Sequence, residues 1–283
     1  MKNLLVIGCG DIGLRTAALL GRRYRIFALS HTPARFAALR ESGIIPIPGD
    51  LDDRGSLSRI AGIAQTVLHL APPPPSGRVD SRTRNLVAAL SAKCSMLPQR
   101  LVYISTSGVY GDCAGERVTE TRPARPMTER AARRLDAENR IRTWGRETGV
   151  TTAILRVPGI LSGERIVPGR LAQPVLAEED DVYTNHIHGV DLARAVALAA
   201  DRALPGRIYN VCDDSEMKMG EYFGRIARRL GMPPPPRMAR AEIEKILSPT
   251  MYSFLCESRR LDNARAKAEL GLDLVYPHAV DGP

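Results

Sequence analysis

Gly8-Cys9-Gly10-Asp11-Ile12-Gly13 stands between a short apolar run, Asn3 to Gly8, and a stretch in which Ile12, Ala17, Leu19 and Leu20 recur with near-helical spacing up to Arg23. Strand, glycine turn, helix is the order in which a Gly-x-Gly-x-x-Gly spacing carries physical meaning. Gly8 permits the tight turn, Gly10 lets backbone approach a pyrophosphate, and Gly13 packs the helix closely on the strand. The amides and partial positive charge of the helix N-terminus then face the anion. Gly8, Cys9, Gly10, Asp11, Ile12 and Gly13 are therefore the expected phosphate cradle of a dinucleotide. Asp11 brings negative charge near the phosphates, so a merely structural turn is the competing reading.

Outward from this turn the pattern repeats. Tyr24 to Leu29 reads as strand, Pro33 to Glu41 as helix, Ile44 to Ile47 as strand, then Asp53 to Ala61 and the run Thr66 to Ala71. A helix from Asp80 to Lys93 precedes the β-rich run Leu101 to Thr106, and an arginine-rich helix follows from Thr128 to Arg146. Alternation at this spacing requires right-handed crossovers and a parallel sheet buried on both faces, an α/β doubly wound fold of the Rossmann type. Beyond about Arg156 the pattern loosens: a loop Pro158 to Ala177, a helix Val190 to Asp201, a strand Ile208 to Cys212 and a helix Glu216 to Leu230. The expectation is one dinucleotide-binding domain over residues 1–283, with about 157–180 and 213–283 forming a small C-terminal, substrate-side lobe. Pro72 to Pro75 and Pro233 to Pro236 mark loops within it rather than boundaries.

With 283 residues, 44% of them hydrophobic, the chain can bury a full core without disulfide or metal. Its five cysteines, Cys9, Cys94, Cys113, Cys212 and Cys256, contain no CxxC pair and read as reduced thiols, with no metal site. No stretch reaches the roughly 20 apolar residues of a membrane span, and the opening run is too short for a signal peptide. A soluble, cytoplasmic protein without membrane partners is expected. The formal charge of +9 comes almost entirely from arginines in dispersed pairs without aromatic interleaving, so no specific nucleic acid is expected as partner. A small-molecule substrate is expected, and a homodimer is left open.

The end of the second strand ordinarily separates NAD from NADP, because an acid there holds the ribose 2′-hydroxyl. Ala28, Leu29, Ser30, His31 and Thr32 contain no acid. With His31 and Arg35 nearby a 2′-phosphate is accommodated, so NADP(H) is expected over NAD(H). The alternative makes Arg35 an ordinary solvated helix residue.

Further segments give a resemblance. Gly49-Asp50-Leu51, His69-Leu70-Ala71, Ser105-Thr106-Ser107-Gly108-Val109-Tyr110-Gly111, Leu155-Arg156-Val157-Pro158-Gly159-Ile160, Asn185-His186-Ile187-His188-Gly189-Val190-Asp191-Leu192-Ala193 and Tyr209-Asn210-Val211, in this order, resemble the NAD-dependent epimerase/dehydratase family of extended short-chain dehydrogenases/reductases. The resemblance implies that Asp50 and Leu51 contact the adenine, that His69, Leu70 and Ala71 pass beneath the ribose and nicotinamide side, and that Pro158 borders the cofactor. It implies Thr106 as the catalytic hydroxyl, able to steady the oxygen whose charge changes in hydride transfer. His186 and His188 lie on a strand-like run of which only one is expected to face the cleft, and Asp191 reads as a helix cap.

The family's acid/base unit, tyrosine followed four positions later by lysine, is missing. The residues four before Lys93, Lys218, Lys245 and Lys267 are Ala89, Asp214, Ala241 and Asn263, and Lys2 stands too near the start. Alignment on Glu138 places Arg130 and Arg134 where tyrosine and lysine would be. Arginine keeps its proton at physiological pH, so Arg130 cannot act as the phenol, whereas Arg134 could bind ribose or phosphate. A solvated basic face is the alternative for this helix. Tyr110 is the nearby phenol that could carry the proton. Two functional readings stay open: an oxidoreductase or epimerase of atypical mechanism acting on a small hydroxylated or carbonyl substrate, such as a sugar or sugar nucleotide, and a catalytically silent NAD(P)(H)-binding sensor or assembly protein.

Overall fold

The computed structural model describes residues 1–92, 96–162, 171 and 173–282. Lys93, Cys94 and residues 163–170 and 172 of the expected loop lie outside the described residues. Strands β1 (Lys2–Ile7), β2 (Tyr24–Ser30), β3 (Ile45–Pro48), β4 (Thr66–His69), β5 (Arg100–Thr106), β6 (Thr151–Val157) and β7 (Arg207–Asn210) form a parallel sheet in the order β7-β6-β5-β4-β1-β2-β3. The order reverses at β1, so a crevice opens beyond the carboxyl ends of β1 and β4, where ligands settle in open α/β sheets.

The sequence of β1 explains its central place. Leu4, Leu5, Val6 and Ile7 are all fully buried. Successive side chains point to opposite faces, so Leu4 and Val6 join one core layer and Leu5 and Ile7 the other. The first layer receives helices α1 (Asp11–Leu20) and α5 (Gly189–Arg202), the second α3 (Ser81–Leu90) and α4 (Glu129–Thr148). Each such aliphatic side chain contributes roughly 1.5–3 kcal/mol when fully buried. At Gly8 the chain turns with φ +89, and a Cβ there would sit 2.5 Å from the Ala71 backbone nitrogen. Glycine is thus what lets the ends of β1 and β4 touch.

Several expectations need correction. The Pro33–Glu41 helix opens as a 3-10 turn, Pro33–Arg35, and only Phe36–Glu41, α2, is α-helical. Residues Arg54–Ile60 form 3-10 turns capped by the Asp53 carboxylate. Strand β6, Thr151–Val157, is not among the elements expected from the sequence, and the expected loop after Pro158 contains the strands Gly159–Leu161 and Val175–Leu176. Helix α6 begins at Met219, not Glu216, because Lys218 is held extended by a bridge to Tyr183.

Asp191 is not the cap of α5. His188 is, with its Nδ1 accepting from the Val190 amide at 3.3 Å. Asp191, fully buried in the first turn, accepts instead from the amides of Val275 at 2.8 Å and Tyr276 at 2.9 Å. Asp213 does the same for Ala279 at 2.7 Å. Two buried carboxylates so fasten the C-terminal segment. Around it, α6 (Met219–Arg229) packs Tyr222, Ile226 and Ala227 against Leu161, Ala279 and Val280, and Met219 meets Leu176, Ile243 and Leu255. Cys9, Cys113, Cys212 and Cys256 are free thiols. Among the described residues no helix is long and apolar enough to cross a membrane.

Candidate active site

A cavity of about 610 Å³ lies along the carboxyl ends of β1, β2 and β4. All six residues of the glycine turn line it, with Ser30, His31, Arg35, Asp50, Leu51, Leu70, Ala71 and Arg134. Gly10 is the N-cap of α1 and has no side chain with which to close off the first-turn amides, which lack intrahelical partners. A Cβ on Gly10 would meet nothing within 4 Å, so space for an anion is left there by the missing side chain. The Asp11 charge that spoke against a phosphate is answered by Arg15, whose Nε lies 2.6 Å from Asp11 Oδ1. Cys9 takes part through its backbone: burial pushes its thiol up to about 11, so it stays protonated.

Arg35 is not an unattached helix residue. Its guanidinium donates to the Cys9 carbonyl at 2.7 Å, which brings the charge to the rim beside Ser30 and His31. Arg82, unsuspected from the sequence, completes this end: it pairs with both oxygens of Asp52, at 2.6 and 2.9 Å, and donates to the Pro72 carbonyl at 3.2 Å. That pairing draws the Asp52 pKa below the usual carboxylate value.

His69 is the cofactor-side expectation whose side chain lies elsewhere. Its ring is buried among α3 residues rather than on the cavity wall, with Nε2 2.9 Å from Thr83 Oγ1. Because that hydroxyl donates to Asp80 at 2.8 Å, it must accept from His69 Nε2–H. Burial drives the His69 pKa down to about 3, so the ring is neutral.

A second cavity, about 740 Å³, adjoins the first and shares Pro72, Arg134 and Ile160 with it. Thr106, at the end of β5, and Pro158, after β6, line this second cavity and not the first. Thr106 Oγ1 accepts from the Gly108 amide at 3.2 Å, which leaves its hydroxyl proton to point elsewhere. Arg134 is fixed where the cavities meet: it donates to the Ile104 carbonyl at 2.8 Å and to Tyr103 Oη at 3.0 Å. Arg130, exposed, and Arg133, buried, line the second cavity as well, so this end of α4 borders that cavity.

Tyr110 does not reach either cavity, and its expected part in proton transfer is withdrawn. The chain after Thr106 coils into a 3-10 turn, Ser107–Tyr110, that swings the phenol inward. Tyr110 is 1% exposed and donates its hydroxyl proton to Asn210 Oδ1 at 2.7 Å, with the Arg156 guanidinium 4.5 Å above its ring. Burial raises its pKa, the wrong direction for a working base. Tyr110→Phe is expected to leave cofactor affinity unchanged in a fluorescence titration. It should lower stability to denaturant by about 1–3 kcal/mol, because Asn210 Oδ1 loses its donor.

Beneath the site runs a buried polar chain. Glu138 accepts from Ser105 Oγ at 2.5 Å and from Arg156 at 2.7 Å, and Arg156 leads to Tyr110 and Asn210. His186 and His188, two residues apart, share one face of their short strand, and both rings meet tyrosines from later in the chain. His186 stacks on Tyr222 with ring centroids 3.4 Å apart and lines the second cavity, whereas His188 packs on Tyr276. Only one faces the cleft, but position along the strand separates them, not alternation. Burial lowers the His186 pKa to about 3. Arg259, Glu257 and Phe254 of the second cavity were not foreseen.

The family model described as NAD dependent epimerase/dehydratase matches residues 4–212. The chain belongs to this family. Protein YeeZ of Escherichia coli (strain K12) is 27% identical over 285 residues, 98% of this chain and 97% of that protein. A functionally unknown conserved protein from Silicibacter pomeroyi DSS has a similar structure, with a TM-score of 0.79 at 28% identity over 100% of this chain and 96% of that one. The dTDP-glucose 4,6-dehydratase of Bacillus anthracis str. Ames, solved in complex with NAD, gives a TM-score of 0.77 at 15% identity over 99% and 94%, a likeness of fold. This epimerase/dehydratase member thus keeps the family's fold, and its sequence contains no Tyr-x-x-x-Lys pair.

Proposed function

We propose that this chain is an NADP(H)-preferring oxidoreductase or epimerase of atypical mechanism, acting on a small hydroxylated or carbonyl substrate where the two cavities meet. One observation carries the reading: a cradle with the chemistry for a pyrophosphate adjoins a second cavity, with Arg134 in both walls and Thr106 in the second. The open amides of α1 and the bare Cα of Gly10 fit the pyrophosphate. Ser30, His31 and Arg35 fit a ribose 2′-phosphate better than a 2′-hydroxyl, since none of them is an acid.

When bound, a nicotinamide cofactor supplies hydride exchange at the junction. Thr106, free to donate, orients the oxygen on the reacting carbon. With Tyr110 turned into the core, the proton exchanges with cavity water. A silent binding protein is the second reading, favoured by the lack of any Tyr-x-x-x-Lys pair in the sequence.

Melting experiments test the cofactor preference. A ligand at 100 times its dissociation constant stabilises the fold by about 2.7 kcal/mol, and NADPH is expected to raise the melting temperature more than NADH. Arg35→Ala should remove that difference, lowering NADPH affinity by about 10- to 100-fold with little change for NADH. A clear preference for NADH in the unsubstituted protein would sink the assignment. Hydride exchange with a carbonyl and alcohol panel separates enzyme from sensor.

A further inference from the structure

The second cavity holds four guanidinium groups, Arg130, Arg133, Arg134 and Arg259, against one carboxylate, Glu257. Three of the four have protein acceptors. Arg133 donates to the carbonyls of Gly77 and Pro75, and Arg134 to Ile104 and Tyr103. Arg259 pairs with Glu257 at 2.7 Å and donates to the Gly111 carbonyl at 2.8 Å. Arg130 differs: among the described residues it makes no hydrogen bond and no ion pair, and its guanidinium carbon rests 4.4 Å from the centre of the Phe254 ring.

Although the Arg130 side chain is open to cavity water, enough protein surrounds it that desolvation draws its pKa down from the ordinary guanidinium value. Glu257 opposes that shift, while Arg133, Arg134 and Arg259 add to it. An anion docking here would relieve a cation held among cations. Arg130 precedes Arg134 by one turn of α4, an axial rise of about 6 Å, so the anion would lie close to the junction of the cavities. Met219, Phe223, Met251 and Phe254 make the neighbouring wall apolar.

We infer that the cavity takes a substrate with an apolar body and a single carboxylate, the carboxylate docking on Arg130 beside the reacting carbon. This rests on reading the adjoining cleft as the cofactor site. One unengaged planar fork matches one carboxylate in a two-point hydrogen bond. A nucleotide diphosphate brings further negative charge, and the other three arginines, unlike Arg130, are each already held by a carbonyl or by Glu257 through one or two guanidinium nitrogens.

The experiment loads the protein with NADP+ and titrates it by saturation-transfer NMR and calorimetry with phenylpyruvate, with phenylacetone, which lacks the carboxylate, and with UDP-glucose. Phenylpyruvate should bind about 10- to 100-fold more tightly than phenylacetone. Arg130→Gln should erase that advantage, and Arg130→Lys, which keeps the charge but not the fork, should restore part of it. NADP+ affinity should hold in both variants, which also shows that they fold. The inference is overturned if phenylpyruvate does not bind, if Arg130→Gln leaves its affinity unchanged, or if UDP-glucose binds more tightly through Arg130. The same titrations without cofactor keep the two readings apart. Carboxylate binding with no NADP(H) binding sinks the cofactor reading alone, and NADP(H) binding with no carboxylate sinks this one alone.

Discussion

Glu138→Ala is expected to destabilise the protein by about 3–5 kcal/mol, the cost of leaving a buried charge without its partner. Glu138 is 1% exposed and Arg156 3% exposed. The carboxylate accepts from Arg156 Nη2 at 2.7 Å and Nε at 3.2 and 3.3 Å, as well as from the Ser105 hydroxyl at 2.5 Å. Arg156 has no reserve, since its Nη1 already lacks a hydrogen-bond partner. Domains of this kind hold roughly 5–15 kcal/mol in all, so the variant should unfold at markedly lower urea. Glu138→Gln keeps the volume and an acceptor and should lose less. A loss below about 1 kcal/mol for the alanine variant would show that the pair does not hold β5, β6 and α4 together.

Gly10→Ala is expected to weaken NADP(H) binding by about 10- to 100-fold with little change in stability. The backbone at Gly10, φ −88, suits any residue, and the added methyl would touch no protein atom within 4 Å. It would instead occupy the space against the α1 amides, where forcing in a methylene costs typically 1–3 kcal/mol. Gly8→Ala should behave in the opposite way. With φ +89 and a Cβ 2.5 Å from Ala71 nitrogen and 2.6 Å from Ala71 Cα, it must push β1 from β4 and so costs folding stability directly. Calorimetric titration beside denaturant melts separates the two. Undiminished NADP(H) binding by Gly10→Ala would mean that no pyrophosphate sits at this helix.

What the sequence makes legible follows from how local each cause is. The β1 turn and α1 can be read because four apolar residues, three glycines and a helical period state the whole structure within twenty positions. β6 escapes notice because Thr151 and Thr152 open it with hydroxyls that become half-buried or buried only once β5 lies beside them. Asp191 looks like a cap because carboxylates favour helix starts. Its actual partners stand 84 and 85 residues away. Tyr110 follows the same logic: its nearness to Thr106 along the chain suggests a shared site, and a 3-10 turn sends the two side chains apart. Arg82 and Arg259 carry no local mark in a chain so rich in arginine; only the distant partners, Asp52 for Arg82 and the Gly111 carbonyl for Arg259, single them out.

Arg134 belongs to two walls at once, and thermodynamic linkage attaches a rule to that double membership. Whatever tightening or loosening a guest in one chamber imposes on the other, the second guest must return by the same factor. A small molecule in one chamber that tightened a dinucleotide in the other would be tightened by it in equal measure.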